Sequence, residues 1–517
     1  SPIFMIVENG EWIEASGAAP SPEEFVCDDA WGCVELEAGD KVKIAYVGPM
    51  TGDYSAFGID ISRGAELAVV ADPNINGFEI ELIIEDTQGS PEQGAAVANK
   101  LAADPQMAAV AGHTFSGSTE AAIPVYEDAG IVMVSPSTTL VGLPMVGPNV
   151  YNRVAFSDGD QGRMAAEYIY NVLGIRQVVV VHDGGAYGQG LVEVMSENFE
   201  GLGGEVLGME AITPGETDYS AQLADIATLD PELLYYGGYD ADAAVLVSQM
   251  AGAGLGDANF FGCDGTYGVN YIELAGSASE GTYSTYVPIP PSAKFDQFKA
   301  DYEAAYGDPQ GKLSPFSPHG YDAVSVILNA IWDVSVESDG KLYIPRQALA
   351  QAVRSLEGFT GLTGTLTADG IGNLAAAAPL FMVVENGEWV LAWIRVEFYP
   401  EYGGTFDLEN TLGTTTTMEI PPDSGAATLE ALPAPLDARA NSLLTTYTML
   451  YTTTDGGDPS LTMVESHGLR LETSEPLATA VTLTVAYADQ DMMGIDDSSL
   501  LLYTWNGSQW VDAEPCG

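Results

Sequence analysis

Short apolar runs alternate with amphipathic segments from Lys41 to about Trp332, and this alternation limits the folds that the chain can adopt. The runs are rich in Val, Ile, Leu and Ala, which is typical of strands buried on both faces of a sheet. Strand–helix repetition predicts an α/β fold, a parallel sheet with helices on both faces. The predicted strands are residues 42–47, 80–85, 108–111, 131–134, 178–182, 233–236 and 259–262, and the predicted helices are 62–71, 91–103, 161–173 and 191–202.

Two units of this kind follow one another, and an extended segment near residues 151–157 carries the chain between them. The strand–helix alternation ends after Trp332, where a predicted helix at 345–356 precedes short strands. From about Glu397, Thr, Pro and Gly are frequent and apolar residues recur with period two. This pattern predicts a separate all-β domain, an antiparallel β-sandwich over residues 397–517.

The composition excludes one large class of partner. The chain has 517 residues, of which 16 are Lys or Arg and 74 are Asp or Glu, giving a net charge of -58. Nucleic acid is therefore not expected to bind, because few cations could neutralise its phosphates. No apolar run is long enough to span a bilayer and no basic leader precedes Ser1, so we expect a mature, soluble protein. An acidic surface fits an extracellular setting and plain solubility equally well.

Four cysteines are present, and Cys27 lies close to Cys33. Their spacing is wider than a C-x-x-C motif and no histidine is nearby, so we favour a local disulfide and an oxidising compartment. We expect Cys263 to be a buried free thiol. Cys516 has no obvious partner, which suggests that the natural chain continues.

A twelve-residue segment occurs twice. Residues 2–13 match residues 379–390 at nine of twelve positions. Because the second copy ends a predicted domain, we interpret residues 1–24 as the tail of a preceding, similar domain plus a linker from 16 to 24. Two alternatives stay open, namely a hairpin that arose twice and a strand that inserts into a neighbouring subunit. The predicted domains are 1–24, 25–396 and 397–517.

Two hydroxyl-rich stretches, residues 112–119 and 135–139, each follow a predicted strand, and the first opens a helix-like segment. Ligands of α/β sheets bind beyond the carboxyl ends of strands, and the free N–H groups at a helix start favour an anion. The pattern therefore predicts a site for a small carboxylate.

Other candidate motifs are weak. The four histidines are dispersed without metal-ligand spacing, and Ser116 does not lie in a G-x-S-x-G elbow. We therefore predict no catalytic site, no metal site and no cofactor. Four aspartates of the β-domain could surround calcium, but a solvated turn is favoured; they are Asp489, Asp491, Asp496 and Asp497.

Several motifs occur together and in order: VGPMTG at 47–52, GHTFSGST at 112–119, YEDAGI at 126–131, HD at 182–183 with YGQG at 187–190, and YYGGY at 235–239. With these motifs, residues 25–393 resemble the leucine/isoleucine/valine-binding proteins, the extracytoplasmic solute receptors of branched-chain amino-acid ABC transporters. The resemblance implies a two-lobed type I periplasmic-binding-protein fold. Lobe 1 would comprise about 41–150 and part of 320–396, and lobe 2 about 157–315.

The resemblance also implies a ligand site. Ser116 and Thr139 match the hydroxyls that hold the ligand carboxylate, with backbone groups near Ser137 and Thr138 assisting. Asp264 falls where the family places an acidic residue against the ligand ammonium, although the family usually has Glu there. The remaining matches are aromatic walls and one polar position near the crossing: Phe57, Tyr187, Tyr239, Phe316 and Asp158. A zwitterion needs such a clamp at each end and an apolar sleeve between.

One position departs from the family. Its members often have a disulfide between the loop near Gln88 and the residue before Ser116, which here is Phe115. We therefore expect packing to hold this loop.

The function implied is capture of an amino acid, branched-chain or aliphatic, between two lobes and its delivery to a membrane ABC permease. The protein would be secreted, periplasmic or on the surface of a bacterium, and it would not be an enzyme. The alternative is a structural subunit of a cell-surface layer or filament, self-assembling through the N-terminal strand or the β-sandwich. The repeated segment and the added β-domain favour this alternative.

Overall fold

The structure is a computed structural model that describes residues 25–287, 289–290, 292–312, 314–374 and 379–392, with only the backbone of short strands on either side. The helices are α1 Ser55–Ala71, α2 Pro91–Ala102, α3 Ser116–Ala129, α4 Leu143–Val146, α5 Asp158–Glu167, α6 Ala186–Gly201, α7 Ser220–Ala227, α8 Asp240–Ala253, α9 Val269–Ala275, α10 Ala293–Tyr306, α11 Ser317–Val334 and α12 Arg346–Arg354.

The strands up to residue 392 are β1 Met5–Glu8, β2 Glu11–Glu14, β3 Cys33–Leu36, β4 Val42–Gly48, β5 Asn74–Ile75, β6 Phe78–Asp86, β7 Met107–Gly112, β8 Val132–Ser135, β9 Tyr151–Arg153, β10 Gln177–His182, β11 Glu205–Ala211, β12 Leu233–Gly237, β13 Asn259–Phe261, β14 Tyr283–Tyr286, β15 Val336–Ser338, β16 Lys341–Pro345, β17 Phe359–Thr360, β18 Thr365–Leu366, β19 Leu380–Glu385 and β20 Glu388–Leu391. All seven strands predicted between residues 42 and 262 are confirmed.

Lobe 1 is built on a six-stranded sheet of order β5-β6-β4-β7-β8-β9, parallel except between β5 and β6. Successive residues of a strand point to opposite faces. Ile44 and Tyr46 of β4 therefore join a hydrophobic cluster with α1 and α11, whereas Ala45 and Val47 join one with α2 and α3. Both faces of the sheet are covered, as the continuous apolar runs predict.

Lobe 2 repeats this arrangement on a seven-stranded sheet of order β11-β10-β12-β13-β14-β19-β20. From β11 to β14 in this order, neighbouring strands are parallel, whereas β19 pairs antiparallel with β14. Val178 and Val180 of β10 pack in one cluster with α5 and α6, and Val179 and Val181 pack in another with α7 and α8.

The chain passes between the lobes three times. It leaves lobe 1 after β9, returns between β14 and α10, and enters lobe 2 again between Leu374 and β19. The first crossing confirms the transition predicted near residues 151–157, and Ser157 caps α5 by accepting from the Gly159 amide at 3.2 Å. The first crossing, whose residues are all described, can serve as a hinge.

The lobe boundaries differ from the predicted ones at one place. Helix α10 was expected in lobe 2, but it packs on α1 of lobe 1, and the Tyr302 hydroxyl donates to Asp60 Oδ1 at 2.9 Å. The prediction gave lobe 1 only part of residues 320–396, and the structure places hairpin β19–β20 on the edge of β14 in lobe 2. The error at α10 arises because its partner is distant in sequence.

Helices α1 and α11 approach closely at two glycines, which have no side chain to keep the two backbones apart. A methyl group on Gly64 would lie 1.8 Å from the Ser317 carbonyl oxygen, and one on Gly320 would lie 2.2 Å from that of Ile61. The buried carboxylate of Asp60 lies at the same junction and accepts hydrogen bonds from the Ser314 hydroxyl and the Ser317 amide, each at 2.7 Å. This junction fixes α11 in lobe 1.

Cys27 and Cys33 form the predicted disulfide, at the start of β3, which pairs with β16. Cys263 is a buried free thiol, as expected. In the described part of the chain, we find no helix with the length and apolar character that a membrane span requires.

The two copies of the repeated segment form matching hairpins. In β1–β2, Val7 pairs with Trp12, and in β19–β20 the equivalent Val384 pairs with Trp389, so the register is the same. The predicted linker at 16–24 lies outside the described residues. The preceding domain therefore stays a prediction.

Beyond residue 392, the backbone contains antiparallel strands in two four-stranded sheets of order β21-β24-β27-β26 and β22-β23-β28-β25 and one hairpin, β29–β30. The predicted sandwich, Cys516 and the four aspartates of the possible calcium loop otherwise lie outside the described residues. The strands are β21 Ile394–Phe398, β22 Gly404–Glu409, β23 Thr415–Ile420, β24 Ala427–Ala431, β25 Leu444–Met449, β26 Ser460–Thr462, β27 Leu469–Thr473, β28 Val481–Ala486, β29 Tyr503–Trp505 and β30 Trp510–Asp512.

The glycine contact between α1 and α11 predicts a stability difference. Gly64→Ala should lower the free energy of unfolding by about 1–3 kcal/mol, because the added methyl group meets backbone that cannot move freely. Gly252→Ala is the matched control, since its methyl group meets nothing within 4 Å, and it should raise stability by about 0.5–1 kcal/mol. Chemical denaturation of both variants measures the difference. Equal effects would contradict the described packing.

Candidate functional site

A cavity lies between the two lobes, beyond the carboxyl ends of their parallel strands. Lobe 1 contributes residues that follow β7 and β8 and two aromatic side chains, and lobe 2 contributes residues that follow β10, β12 and β13. The lining residues are Phe57, Thr114, Phe115, Ser116, Ser137 and Phe316 from lobe 1, and Tyr187, Tyr239, Asp264 and Gly265 from lobe 2.

The lobe 1 side of the cavity is rich in hydrogen-bond donors. Ser116 is the first residue of α3 and is 2% exposed. The first N–H groups of a helix have no acceptor within the helix and carry a partial positive charge. The neighbouring Ser137 hydroxyl donates to the Thr114 carbonyl at 2.7 Å, which ties the two loops together. This side can therefore bind an anion such as a carboxylate.

The lobe 2 side presents a buried carboxylate. Asp264 follows β13, is 4% exposed and accepts a hydrogen bond from the Tyr187 hydroxyl at 2.5 Å. Its amide donates to Gln161 Oε1 at 3.0 Å. Burial raises the pKa of the Asp264 carboxyl, because the ionised form is costly away from water. A cation beside it would remove this cost, so this side can bind an ammonium group.

Asp158 is a second buried carboxylate close to Asp264. Gln161 lies between them, since its Nε2 donates to Asp158 Oδ1 at 3.0 Å while its Oε1 accepts from the Asp264 amide. Burial, together with repulsion from Asp264, raises the pKa of Asp158 to about 8. Its Oδ2 has no hydrogen-bond partner among the described residues. The pair therefore leaves one buried oxygen without a partner, behind the wall of the cavity.

Aromatic rings form the rest of the wall. Tyr239, at the start of α8 in lobe 2, lies with its ring centroid 4.7 Å from that of Phe115 and 5.8 Å from that of Phe57. The Phe57 and Phe316 centroids are 6.2 Å apart. Only Asp264 among the lining residues carries a formal charge. The cavity therefore suits a neutral, apolar side chain between its two polar ends.

The structure brings together seven of the ten predicted ligand residues: Phe57, Ser116, Ser137, Tyr187, Tyr239, Asp264 and Phe316. The other three do not line the cavity. The Thr138 hydroxyl pairs with that of Tyr151 at 2.8 Å, and its amide donates to Ser135 Oγ at 3.1 Å, so both are occupied within lobe 1. Thr139 and Asp158 are buried behind the lining, 1% and 0% exposed.

Three lining residues were missed, namely Thr114, Phe115 and Gly265. Phe115 and Gly265 are each adjacent in sequence to a predicted site residue, and Thr114 lies two positions before Ser116, so proximity in sequence is the signal that marks them as neighbours of the site. Phe115 is also the position at which the sequence departs from the family. Its ring also turns toward the other lobe and stacks on Tyr239 at an interplanar angle of 28°.

Metal chemistry finds no support in the residues that the structure describes. They contain no group of three or more His, Cys, Asp or Glu side chains arranged to hold an ion. His113 and His319 are fully buried, and burial lowers the pKa of each to about 3, so both are neutral.

Comparisons with known proteins agree with this geometry. Residues 41–388 match the family model described as periplasmic binding protein. The leucine-, isoleucine-, valine-, threonine-, and alanine-binding protein of Pseudomonas aeruginosa is 32% identical over 346 residues, which cover 65% of this chain and 88% of that protein.

Solved structures show the same architecture. A leucine-binding protein from Thermotoga maritima superposes with a TM-score of 0.61 and 29% identity, covering 68% of this chain and 97% of that one. A branched-chain amino-acid transporter substrate-binding protein from Streptococcus pneumoniae, in complex with isoleucine, superposes with a TM-score of 0.59 and 26% identity. The match covers 68% of this chain and 98% of that one. The chain therefore belongs to the periplasmic-binding-protein family, among the leucine/isoleucine/valine-binding proteins of the two-lobed type I fold.

Proposed function

We propose that residues 25–392 capture a neutral, aliphatic α-amino acid between the two lobes. The observation that carries this proposal is that Ser116 and Asp264 line one cavity from opposite lobes. The family consists of solute-binding proteins, not enzymes. Capture without chemical change is therefore the activity to test.

The two polar ends match the two charges of an amino acid. The ligand carboxylate would accept hydrogen bonds from Ser116 and the first N–H groups of α3, and the ammonium would lie against Asp264. Thr139, buried behind the lining, would assist Ser116 at the carboxylate when the ligand is bound, and Asp158 would lie behind the ammonium site. Ser137 and Thr138 would hold the loop that faces the carboxylate.

The same arrangement explains closure. Because the anion site belongs to lobe 1 and the cation site to lobe 2, a single zwitterion would connect the two lobes. Ligand binding would then favour the closed form over the open one, with motion at the three crossings.

The domains implied are the two-lobed unit at 25–396 and a separate unit at 397–517.

The names of the relatives support a transport role. The Streptococcus pneumoniae neighbour is a transporter substrate-binding protein, and the Cys27–Cys33 disulfide fits an oxidising compartment. We assign this protein an extracytoplasmic location and an ABC permease as its membrane partner. Release of the amino acid to that permease would complete its task.

A second candidate function is self-assembly outside the cell. It is favoured by the first hairpin, whose register matches the hairpin that covers β14 in lobe 2. Because β19–β20 already covers that edge in each copy, the first hairpin could pair there only by taking the place of β19–β20 in a second copy. Native mass spectrometry over a concentration series tests this candidate. A strict monomer, or an oligomer unchanged when residues 1–14 are deleted, would contradict it.

Isothermal titration calorimetry tests the proposed capture. L-Valine or L-alanine should bind, whereas 3-methylbutanoate, which is valine without its ammonium group, should not. Asp264→Asn should cost about 2–5 kcal/mol of binding free energy, because a buried charge pair loses one partner. The variant should stay folded, since an amide can still accept the Tyr187 hydrogen bond.

The matched control is Asp183→Asn. Asp183 is also a buried aspartate of lobe 2, 7% exposed, but it does not line the cavity. Its variant should bind within about twofold of the unmodified protein. Equal losses for both variants would contradict the role given to Asp264, and absence of binding by any amino acid would contradict the proposed function.

The raised pKa of Asp158 predicts proton release on binding. Without ligand, the folded protein holds this proton up to about pH 8, whereas an unfolded chain releases it near pH 4. Stability from this group therefore falls as pH rises between those values. A nearby ammonium lowers the pKa, so binding at pH 6–7 should release up to one proton. Calorimetry in buffers of different ionisation enthalpy measures the number of protons released on binding. If Asp158→Asn releases as many protons as the unmodified protein, Asp158 is not their source.

A further inference from the structure

Three aromatic rings of lobe 1 surround Tyr239 of lobe 2. The ring centroids of Phe115, Tyr54 and Phe57 lie 4.7, 4.9 and 5.8 Å from that of Tyr239. The Phe115 contact is stacked, whereas the other two are tilted or edge-on. Phe115 and Tyr239 also line the cavity, so their stack spans the cleft and forms part of its wall.

Phe115 cannot easily turn away from this position. Gly89, in the loop before α2, has a positive φ of 74°, and a methyl group there would lie 3.1 Å from the Tyr54 ring and 3.3 Å from the Phe115 ring. The loop backbone therefore packs directly against both rings. Phe115 is 7% exposed. This packing holds the loop and keeps the Phe115 ring in the cavity wall.

Little space remains beside the stack. The cavity volume is about 20 Å³, whereas one water needs roughly 10–15 Å³. Any ligand must therefore displace side chains of the wall, and a longer ligand side chain must separate the Phe115 ring from the Tyr239 ring. The cost of parting these rings rises with the length of the ligand side chain, because each further carbon displaces packed aromatic surface.

We propose that Phe115 is a specificity-determining residue that restricts the ligand to small neutral amino acids, from alanine to valine, and disfavours leucine and phenylalanine. This inference rests on the proposed function and narrows its substrate class. The charges at the two ends of the cavity would bind every α-amino acid alike. Selection by size then comes from the stack between Phe115 and Tyr239.

Calorimetry with alanine, valine, leucine and phenylalanine tests the inference on the full chain. The unmodified protein should bind valine or alanine at least about tenfold more tightly than leucine and phenylalanine. Phe115→Ala should remove or reverse this preference for the smaller ligands, because it opens the end of the cavity that holds the ligand side chain. Phe115→Leu keeps apolar packing against the Gly89 loop and should shift the ratio in the same direction, so a folding defect in the alanine variant leaves the test intact.

Tyr54→Ala tests the support of the stack. Tyr54 contacts both Phe115 and Tyr239, but it does not line the cavity. Its loss should shift the ratio in the same direction as the Phe115 variants, but by less. Leucine binding as tightly as valine, or an unchanged ratio in both Phe115 variants, would overturn the inference while the proposed function stands. Absence of binding by all four amino acids would overturn both.

Discussion

The carboxylate of Asp264 is buried opposite the start of a helix that belongs to the other lobe. Burial raises its pKa, and the lining residues include no lysine, arginine or histidine to compensate it. Burial and repulsion from Asp264 also raise the pKa of Asp158 behind it, to about 8, so Asp158 keeps its proton at neutral pH. A folded protein retains such groups at a cost in stability, and that cost is relieved when a cation binds. The proposed capture of an amino acid depends on this unrelieved charge.

The scaffold explains how the two ends come to face each other. In each lobe, parallel strands deliver their following loops to the same edge of the sheet, and the two edges meet at the cavity. The junction of α1 with α11, with its two glycines and Asp60, keeps Phe57 and Phe316 in place on one side. On the other side, Gln161 fixes Asp264 through its amide. Rigid lobes with a polar group at each edge suit a hinge mechanism.

Local patterns in the sequence predicted the parts of the fold that depend on local burial. The central strands were identified because apolar runs are buried on both faces. Strand β11 was missed because it is a partly exposed edge strand, and β14 was missed because it is short and rich in Tyr, Ser and Thr. The placement of α10 was wrong and that of β19 was left open, because both depend on partners distant in sequence.

The site residues divide in the same way, into those that local patterns predict and those that depend on partners distant in sequence. Ser116 and Asp264 could be predicted because a strand end, a helix start and a family resemblance all mark their positions, and both line the cavity. The resemblance placed backbone groups of Thr138 near the ligand, but the Thr138 amide donates to Ser135 Oγ inside lobe 1. The stack that Phe115 forms could not be recognised from the sequence, because it depends on Tyr239 in the other lobe.

A crystal structure of the protein grown with L-valine tests the central claim most directly. We predict a closed cleft in which the carboxylate contacts Ser116 and the N–H groups at the start of α3, and the ammonium contacts Asp264. The isopropyl group should lie against Phe115 and Tyr239. A valine bound in the opposite orientation, or a cleft without ligand at saturating valine, would contradict the account.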